Sequence, residues 1–114
     1  MARRDISGAV DFGYLEEYAA NDRGVIEEVL ALFREQASIW SPMLDPAGEA
    51  WRDAVHTIKG AARGIGAFGL GDACERAEAQ GVAALSSVHA ALDAALFDVA
   101  AYAHELELQK IRGR

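Results

Sequence analysis

Apolar residues recur at intervals of three and four along most of the chain, a spacing that gathers them on one face of a helix. Five helical segments follow from this pattern. They are a short helix over residues 12–19 capped by Asp11, helices over residues 23–40, 46–65 and 70–80, and a last helix that is capped by Ser86 or Ser87 and runs to residue 109.

The boundaries of these segments come from capping and helix-breaking residues. Asp45 followed by Pro46 predicts the start of the third helix, because the carboxylate accepts hydrogen bonds from the first amides and proline is tolerated at the first helical position. Pro42 is expected to end or kink the second helix. Closely spaced glycines predict a tight turn at residues 66–69, and Gly81 is expected to terminate the fourth helix.

Four long helices with short connections predict an all-α fold, an antiparallel up-down-up-down four-helix bundle whose short additional N-terminal helix covers one end. The 114 residues fit a single domain spanning residues 1–114, since one core suffices at that size. The ends, residues 1–8 and 110–114, are expected to fray.

Charge and cysteine content narrow the range of partners. With 18 acidic against 11 basic residues and a net charge of −7, a nucleic-acid partner is disfavoured, because phosphate backbones are bound by clustered Lys and Arg. Cys74 is the only cysteine, so no internal disulfide can form. A free cysteine usually behaves as a small apolar residue, and we expect Cys74 to be buried. Neither a secretion signal nor an uninterrupted apolar span is evident, which predicts a cytoplasmic protein with no membrane partner.

The third helix carries the most informative side chain. At about 100° per residue, its apolar positions fall within roughly 60° of Ile58 and define a buried stripe. These positions are Trp51, Ala54, Val55, Ala61, Ala62 and Ile65. His56 lies roughly 160° from Ile58 on the same wheel and is therefore predicted to point into solvent, on an outer face shared with Lys59, Gly60 and Arg63.

Lys59 and Gly60 follow His56 by three and four positions, so they are its neighbours one turn further on. Glycine inside a helix costs about 0.5 to 1 kcal/mol relative to alanine, and the compensating gain that we infer is room for a large partner beside the ring. The Lys59 ammonium would attract a phosphoryl group on the imidazole. Histidine suits that role because its reference pKa of about 6.5 leaves a neutral, nucleophilic nitrogen near pH 7.

The segment 56–66, His-Thr-Ile-Lys-Gly-Ala-Ala-Arg-Gly-Ile-Gly, resembles the signature of histidine phosphotransfer (HPt) domains. In these domains a His-x-x-Lys-Gly motif and a later glycine surround the phosphoacceptor. Segments 14–17 and 32–35 also resemble that family, so the likeness spans about residues 10–108. Two residues depart from the family pattern. The family often has a small polar residue at the position of Gly64, and many members have a smaller residue at the position of Arg63.

The resemblance implies a phosphorelay intermediate. His56 would accept a phosphoryl group from a receiver-domain aspartate or a kinase and pass it to the aspartate of a response regulator, with Lys59 supporting the phosphate and Gly60 permitting docking. Arg52, Asp53, Arg63 and Gly64 are the predicted partner-binding residues. The partners would be receiver domains of response regulators or hybrid histidine kinases, the protein a monomer without a cofactor or metal of its own, and Mg²⁺ a component of the partner.

Two other functions are compatible with parts of this pattern. A helical-bundle adaptor that binds receiver domains or kinases without being phosphorylated would have the same fold. The phosphoacceptor segment of a sensor kinase would need an ATP-binding domain, and no nucleotide-binding motif is evident, so independent kinase activity is not expected.

Several side chains have simpler explanations than a functional one. His89 and His104 are expected to be structural or surface residues, because no metal-ligand spacing surrounds them. Leu32 and Ile39 either seat the first helix or form an apolar patch near His56, and we expect the first. For Arg63 two roles remain open: a contact with the partner, or weak ion pairs with Asp53 or Glu49.

Overall fold

The computed structural model describes residues 7–113, and these fold entirely into helices and short connections. The helices are α1 (Phe12–Tyr18), α2 (Arg23–Met43), α3 (Ala50–Ile65), α4 (Phe68–Gln80) and α5 (Leu85–Arg112), with a 3₁₀ turn at Gly81–Ala84 between α4 and α5. Each long helix packs on the next in the order α2, α3, α4, α5, and α5 closes the ring against α2, while α1 packs on α3. The predicted four-helix bundle with a short additional helix is confirmed.

The buried stripe of α3 is the one that its periodicity predicts. Val55, Ile58 and Ala62 are completely inaccessible to solvent, and Trp51, Ala54 and Ile65 are buried beside them. Ala61 is the exception: it is half-buried at the edge of the core. Because this face is fixed against the other helices, the opposite face of α3 must point outward.

The predicted start of α3 is wrong by about one turn. Asp45 caps a turn and not a helix: its side chain accepts a hydrogen bond from the Ala47 amide at 2.9 Å, and its carbonyl accepts one from the Gly48 amide at 3.2 Å. An Asp-Pro pair favours turns as well as helix starts, and here α3 begins only at Ala50.

Both ends of α5 also differ from the prediction. Ser86 and Ser87 do not cap this helix, because the 3₁₀ turn leads directly into helical residue Leu85 with no side-chain cap. At the other end α5 continues past residue 109 to Arg112, and Lys110 contacts the carboxylates of Glu27 at 2.9 Å and of Glu107 at 3.3 Å. The expected fraying is therefore not found at residues 110–112.

The turn between α3 and α4 depends on Gly66, as the glycine spacing predicts. Its φ of +92° is in the left-handed region that favours glycine. A Cβ at this position would lie 2.5 Å from the Asp11 carbonyl oxygen, and the Gly66 carbonyl accepts a hydrogen bond from the Asp11 amide at 2.8 Å. The same glycine thus reverses the chain and seats the start of α1 on the bundle.

A buried carboxylate attaches the segment before α1 to the bundle. Asp98 on α5 is inaccessible to solvent and accepts hydrogen bonds from the Ser7 amide and hydroxyl, both at 2.8 Å, from the Gly8 amide at 3.1 Å and from the Val10 amide at 3.3 Å. Residues 7 and 8, which were expected to fray, are therefore bound. The other residues of the predicted frayed ends, 1–6 and 114, lie outside the described part of the chain.

By length and composition alone, the helical stretch Phe68–Arg112 is apolar enough to cross a membrane. The core helix of a soluble bundle passes the same test. Here the stretch is interrupted by Gly81, which has a φ of +86°, and its two helices pack on α3 and α2.

Candidate functional site

His56 lies in the middle of α3 and faces solvent. Its side chain is 75% exposed, while the flanking Val55 and Ile58 are fully buried. The predicted outward orientation of the imidazole is confirmed, and the ring is accessible to another protein.

A single carboxylate on α4 contacts both predicted site side chains. Glu78 Oε2 lies 2.9 Å from Nδ1 of His56, and Glu78 Oε1 accepts a hydrogen bond from Lys59 Nζ at 2.6 Å. No motif or spacing in the sequence singles out Glu78. Its position directly after the buried Ala77 places it at the edge of the α4 core stripe, but only the packing of α4 on α3 brings it to His56.

The charge of Glu78 determines which nitrogen of His56 is nucleophilic. Hydrogen bonds from Lys59, and then from His56, hold the pKa of the Glu78 carboxyl below its ordinary value, so this group is ionised near pH 7. An ionised carboxylate only accepts hydrogen bonds, and Nδ1 of His56 must therefore carry the proton. In a neutral imidazole this leaves the lone pair on Nε2, at the opposite edge of the ring.

The backbone next to the imidazole is uncovered. A Cβ built on Gly60 or on Gly64 would meet no atom within 4 Å. These glycines follow His56 at intervals of four, so they extend one exposed line along α3. The space that the helix-interior glycine predicts is present beside the ring.

An apolar surface borders this line on the α2 side. Leu32 and Ile39 are 55% and 53% exposed, and Val25 continues the same row one heptad earlier. Between α2 and α3 lies a groove of about 280 Å³. Its lining is almost entirely apolar and includes Val29, Leu32, Phe33 and Trp40 of α2 and Ala61, Gly64 and Ile65 of α3.

The expectation that Leu32 and Ile39 seat the first helix is wrong. α1 packs on α3, where Asp11 bonds to Gly66. Both side chains therefore remain on the surface, and Leu32 lines the groove that also includes Gly64.

Arg63 is directed toward α4 and not along α3. Its guanidinium Nη2 donates to Glu75 at 2.6 Å and to Asp72 at 3.3 Å, and these hydrogen bonds raise the pKa of Arg63 above its ordinary value. The prediction that Arg63 forms ion pairs with Asp53 or Glu49 is therefore wrong. The Arg63 stem passes over Gly71, where a Cβ would lie 2.8 Å from Arg63 Cγ.

The other two predicted partner-binding residues lie one turn before His56. The Arg52 guanidinium sits 4.5 Å from the centre of the Trp51 ring, a cation–π distance. Asp53 is exposed. Arg52, Asp53 and Gly64 therefore share the accessible side of α3 with His56, whereas the charge of Arg63 is directed to the acidic side chains of α4.

Three further candidates have structural roles or none. Cys74 is fully buried, and desolvation raises the pKa of its thiol to about 11, which makes it unreactive. His89 Nε2 lies 2.9 Å from the Leu44 carbonyl oxygen and so joins α5 to the end of α2, as expected for a structural histidine. His104 is exposed on α5. Within residues 7–113 no three potential metal-ligating side chains converge.

Comparison with known proteins agrees with this fold. The family model of the Hpt domain matches residues 15–102, and the chain belongs to that family. The crystal structure of the histidine phosphotransferase ShpA from Caulobacter crescentus is similar, with 64% sequence identity, a TM-score of 0.86, and coverage of 91% of this chain and 99% of that one. None of the curated proteins matches. The protein is thus a phosphorelay intermediate of a class that carries phosphoryl groups without a kinase domain.

Proposed function

We propose that His56 is the residue that carries the phosphoryl group, accepting it from a receiver-domain aspartate or a kinase and passing it to the aspartate of a response regulator. The observation that supports this role most strongly is the contact between Nδ1 of His56 and the Glu78 carboxylate. It orients an exposed ring with its nucleophilic nitrogen toward solvent.

The transfer step needs no proton movement at the ring. The lone pair on Nε2 of neutral His56 attacks the phosphorus of an aspartyl phosphate, and the P–O bond to the aspartate breaks with its electron pair remaining on that carboxylate. Nδ1 keeps its proton, so the phosphorylated ring carries a positive charge that the Glu78 carboxylate stabilises. In the return step a carboxylate oxygen of the acceptor aspartate attacks the phosphorus and forms a P–O bond, while the P–N bond breaks and its electron pair goes back to Nε2.

Lys59 and Gly60 assist this step in different ways. The Lys59 ammonium, one turn from the ring, offsets the negative charge of the phosphoryl group. Gly60 leaves the backbone bare, so that the partner's reacting aspartate can approach the phosphorus in line. Both roles are inferred from position and chemistry.

The partner is proposed to be a receiver domain of a response regulator or of a hybrid histidine kinase. The groove between α2 and α3 is lined by Leu32 of α2 and by Gly64, two turns after His56 on α3, and an exposed apolar patch of this kind is typical of a protein interface. Arg52, Asp53 and Gly64 lie at its rim. Arg63 is proposed to hold α4 and to contact the partner only at the margin.

We also propose where the protein acts and what it binds. It acts as a cytoplasmic monomer that binds neither nucleic acid nor membrane, in keeping with a net charge of −7. It has no cofactor of its own, and the Mg²⁺ for aspartyl phosphate chemistry belongs to the partner's receiver domain.

Phosphorylation with phosphoramidate, followed by incubation with separately purified receiver domains, tests this function. Wild type should gain one acid-labile phosphate and lose it to at least one receiver when Mg²⁺ is present. His56→Gln should gain none while keeping its helical circular-dichroism signal, and His104→Gln is the matched control that should behave as wild type. If wild type binds a receiver but never gains phosphate, the protein is an unphosphorylated adaptor.

A further inference from the structure

We propose that the Glu78 carboxylate and a phosphoryl group on His56 compete for the Lys59 ammonium, so that Lys59 changes partner each time the site is loaded and unloaded. This inference rests on the proposed function of His56. It concerns how the two states of the site differ, and it assigns Glu78 a part in releasing the phosphoryl group.

Lys59 has two possible contacts, one with Glu78 and one with a phosphoryl group on His56. We infer from the positions of the three side chains that these contacts alternate. Glu78 approaches the ring at its Nδ1 edge and holds the ammonium 2.6 Å from its second oxygen. The phosphoryl group would lie at Nε2, whose lone pair points away from Nδ1. We therefore infer that contact with the phosphoryl oxygens draws Lys59 away from Oε1 of Glu78.

The other cations near the site already have partners. Arg63 donates to Asp72 and Glu75 on α4, and Arg52 lies over the Trp51 ring. A phosphoryl group brings a charge of about −1.5 to −2 near pH 7. Of the cations on this face of the described chain, Lys59 is the closest in sequence and on the helix surface to that new charge.

Each anion of the loaded site has a cation beside it, because the ring becomes a cation when Nε2 is phosphorylated. In the unloaded site Glu78 neutralises Lys59, whereas in the loaded site Glu78 faces the charged ring and Lys59 faces the phosphoryl group. The Lys59–Glu78 pair is 23% and 31% exposed on its two side chains, and ion pairs near the surface are weak. When the phosphoryl group leaves, Lys59 regains Glu78, which favours release.

NMR on phosphoramidate-treated protein tests the exchange directly. A nuclear Overhauser contact between the Lys59 ε-methylene and the Glu78 γ-methylene should be present before loading and absent after it. The contact between Glu78 and the His56 ring should remain in both states. A Lys59–Glu78 contact that persists in the loaded protein overturns the proposal.

A double-mutant cycle gives the energetic test. The loading equilibrium with phosphoramidate at fixed ammonium concentration, approached from loaded and unloaded protein, is measured for wild type, Lys59→Met, Glu78→Gln and the double variant. Lys59→Met should lower the loading equilibrium in both backgrounds. The decrease should be about two- to fivefold larger in Glu78→Gln than in wild type, because in Glu78→Gln the Lys59 ammonium gives up no carboxylate contact when it binds the phosphoryl group. An equal or smaller effect overturns the exchange.

Failure of the exchange can be told apart from failure of the proposed function. Mass spectrometry of the peptide that contains His56 reports loading by itself. If wild type loads at His56 but the cycle shows no coupling, the exchange is wrong and the phosphoacceptor assignment stands. If His56 of wild type never loads, both are wrong.

Discussion

Nδ1 of His56 on α3 lies 2.9 Å from Oε2 of Glu78 on α4, a contact across the interface between two helices. It ties the orientation of the most exposed ring on α3 to the packing of α4. The bundle therefore does more than display a histidine, because it also selects the ring nitrogen that faces solvent.

Removing the Glu78 carboxylate should slow phosphorylation of His56. Glu78→Ala leaves Nδ1 without an acceptor, so the ring can turn and adopt the other tautomer. We expect the rate of loading by phosphoramidate to fall about tenfold, as for the loss of one charge-assisted hydrogen bond. Glu78→Gln, whose amide oxygen can still accept from Nδ1, should lose less. Equal rates in wild type and Glu78→Ala would show that the contact has no kinetic role.

The same contacts predict a pH dependence of stability. The pKa of Glu78 is lowered in the folded protein, first by Lys59 and then by His56, so the ionised form stabilises the fold above the unfolded-state pKa of about 4.3. The contribution is lost as the pH falls through the folded-state pKa. The difference in free energy of unfolding between wild type and Glu78→Gln should shrink as the pH falls below about 4.3. Urea titrations that show the difference growing in acid would contradict this sign.

Gly60 should be replaceable without loss of stability but not without loss of transfer. Its Cβ position is empty, so Gly60→Ala should raise the free energy of unfolding by about 0.5 to 1 kcal/mol through helix propensity. Gly60→Leu should load normally with phosphoramidate yet transfer to a receiver at least about tenfold more slowly, because the side chain obstructs docking. Ala90→Leu, on the exposed side of α5, is the control. Normal transfer by Gly60→Leu would remove the explanation for this glycine.

The buried carboxylate of Asp98 should matter for stability and not for chemistry. Asp98→Ala removes the acceptor for four hydrogen bonds from residues 7–10 and should lower the free energy of unfolding by about 2 to 3 kcal/mol. Asp93→Ala, at an exposed position of the same helix, should change it by less than about 0.5 kcal/mol. Phosphoramidate loading of the folded Asp98→Ala protein should match wild type, and a loss of loading would connect Asp98 to the site.

The orientation of His56 could be predicted from the sequence because it depends on one helix alone. A stripe centred on Ile58 is fixed by the 3.6-residue period, and the opposite side then faces solvent whatever the neighbours are. The openness at Gly60 follows from the same wheel. The number of helices and the turn at Gly66 could be predicted for the same reason, because they depend on residues that are close together in the sequence.

The contacts that join distant segments could not be predicted in this way. Glu78 reaches His56 only through the rotation of α4 against α3, and Asp98 binds amides about ninety positions away in sequence. Helix boundaries predicted from single residues were wrong where the same residue type can occupy two kinds of local structure. Asp45 can cap a helix or a turn, and a serine such as Ser86 does not cap when the preceding 3₁₀ turn runs into the helix.

The central claim is that a phosphoryl group is carried on Nε2 of His56, and nitrogen–phosphorus NMR on ¹⁵N-histidine-labelled protein tests it most directly. After treatment with phosphoramidate, a one-bond coupling to ³¹P should be seen at Nε2 of His56, while Nδ1 stays protonated against Glu78. Coupling at Nδ1, at His89 or at His104, or no coupling at any histidine of the folded protein, would contradict the account.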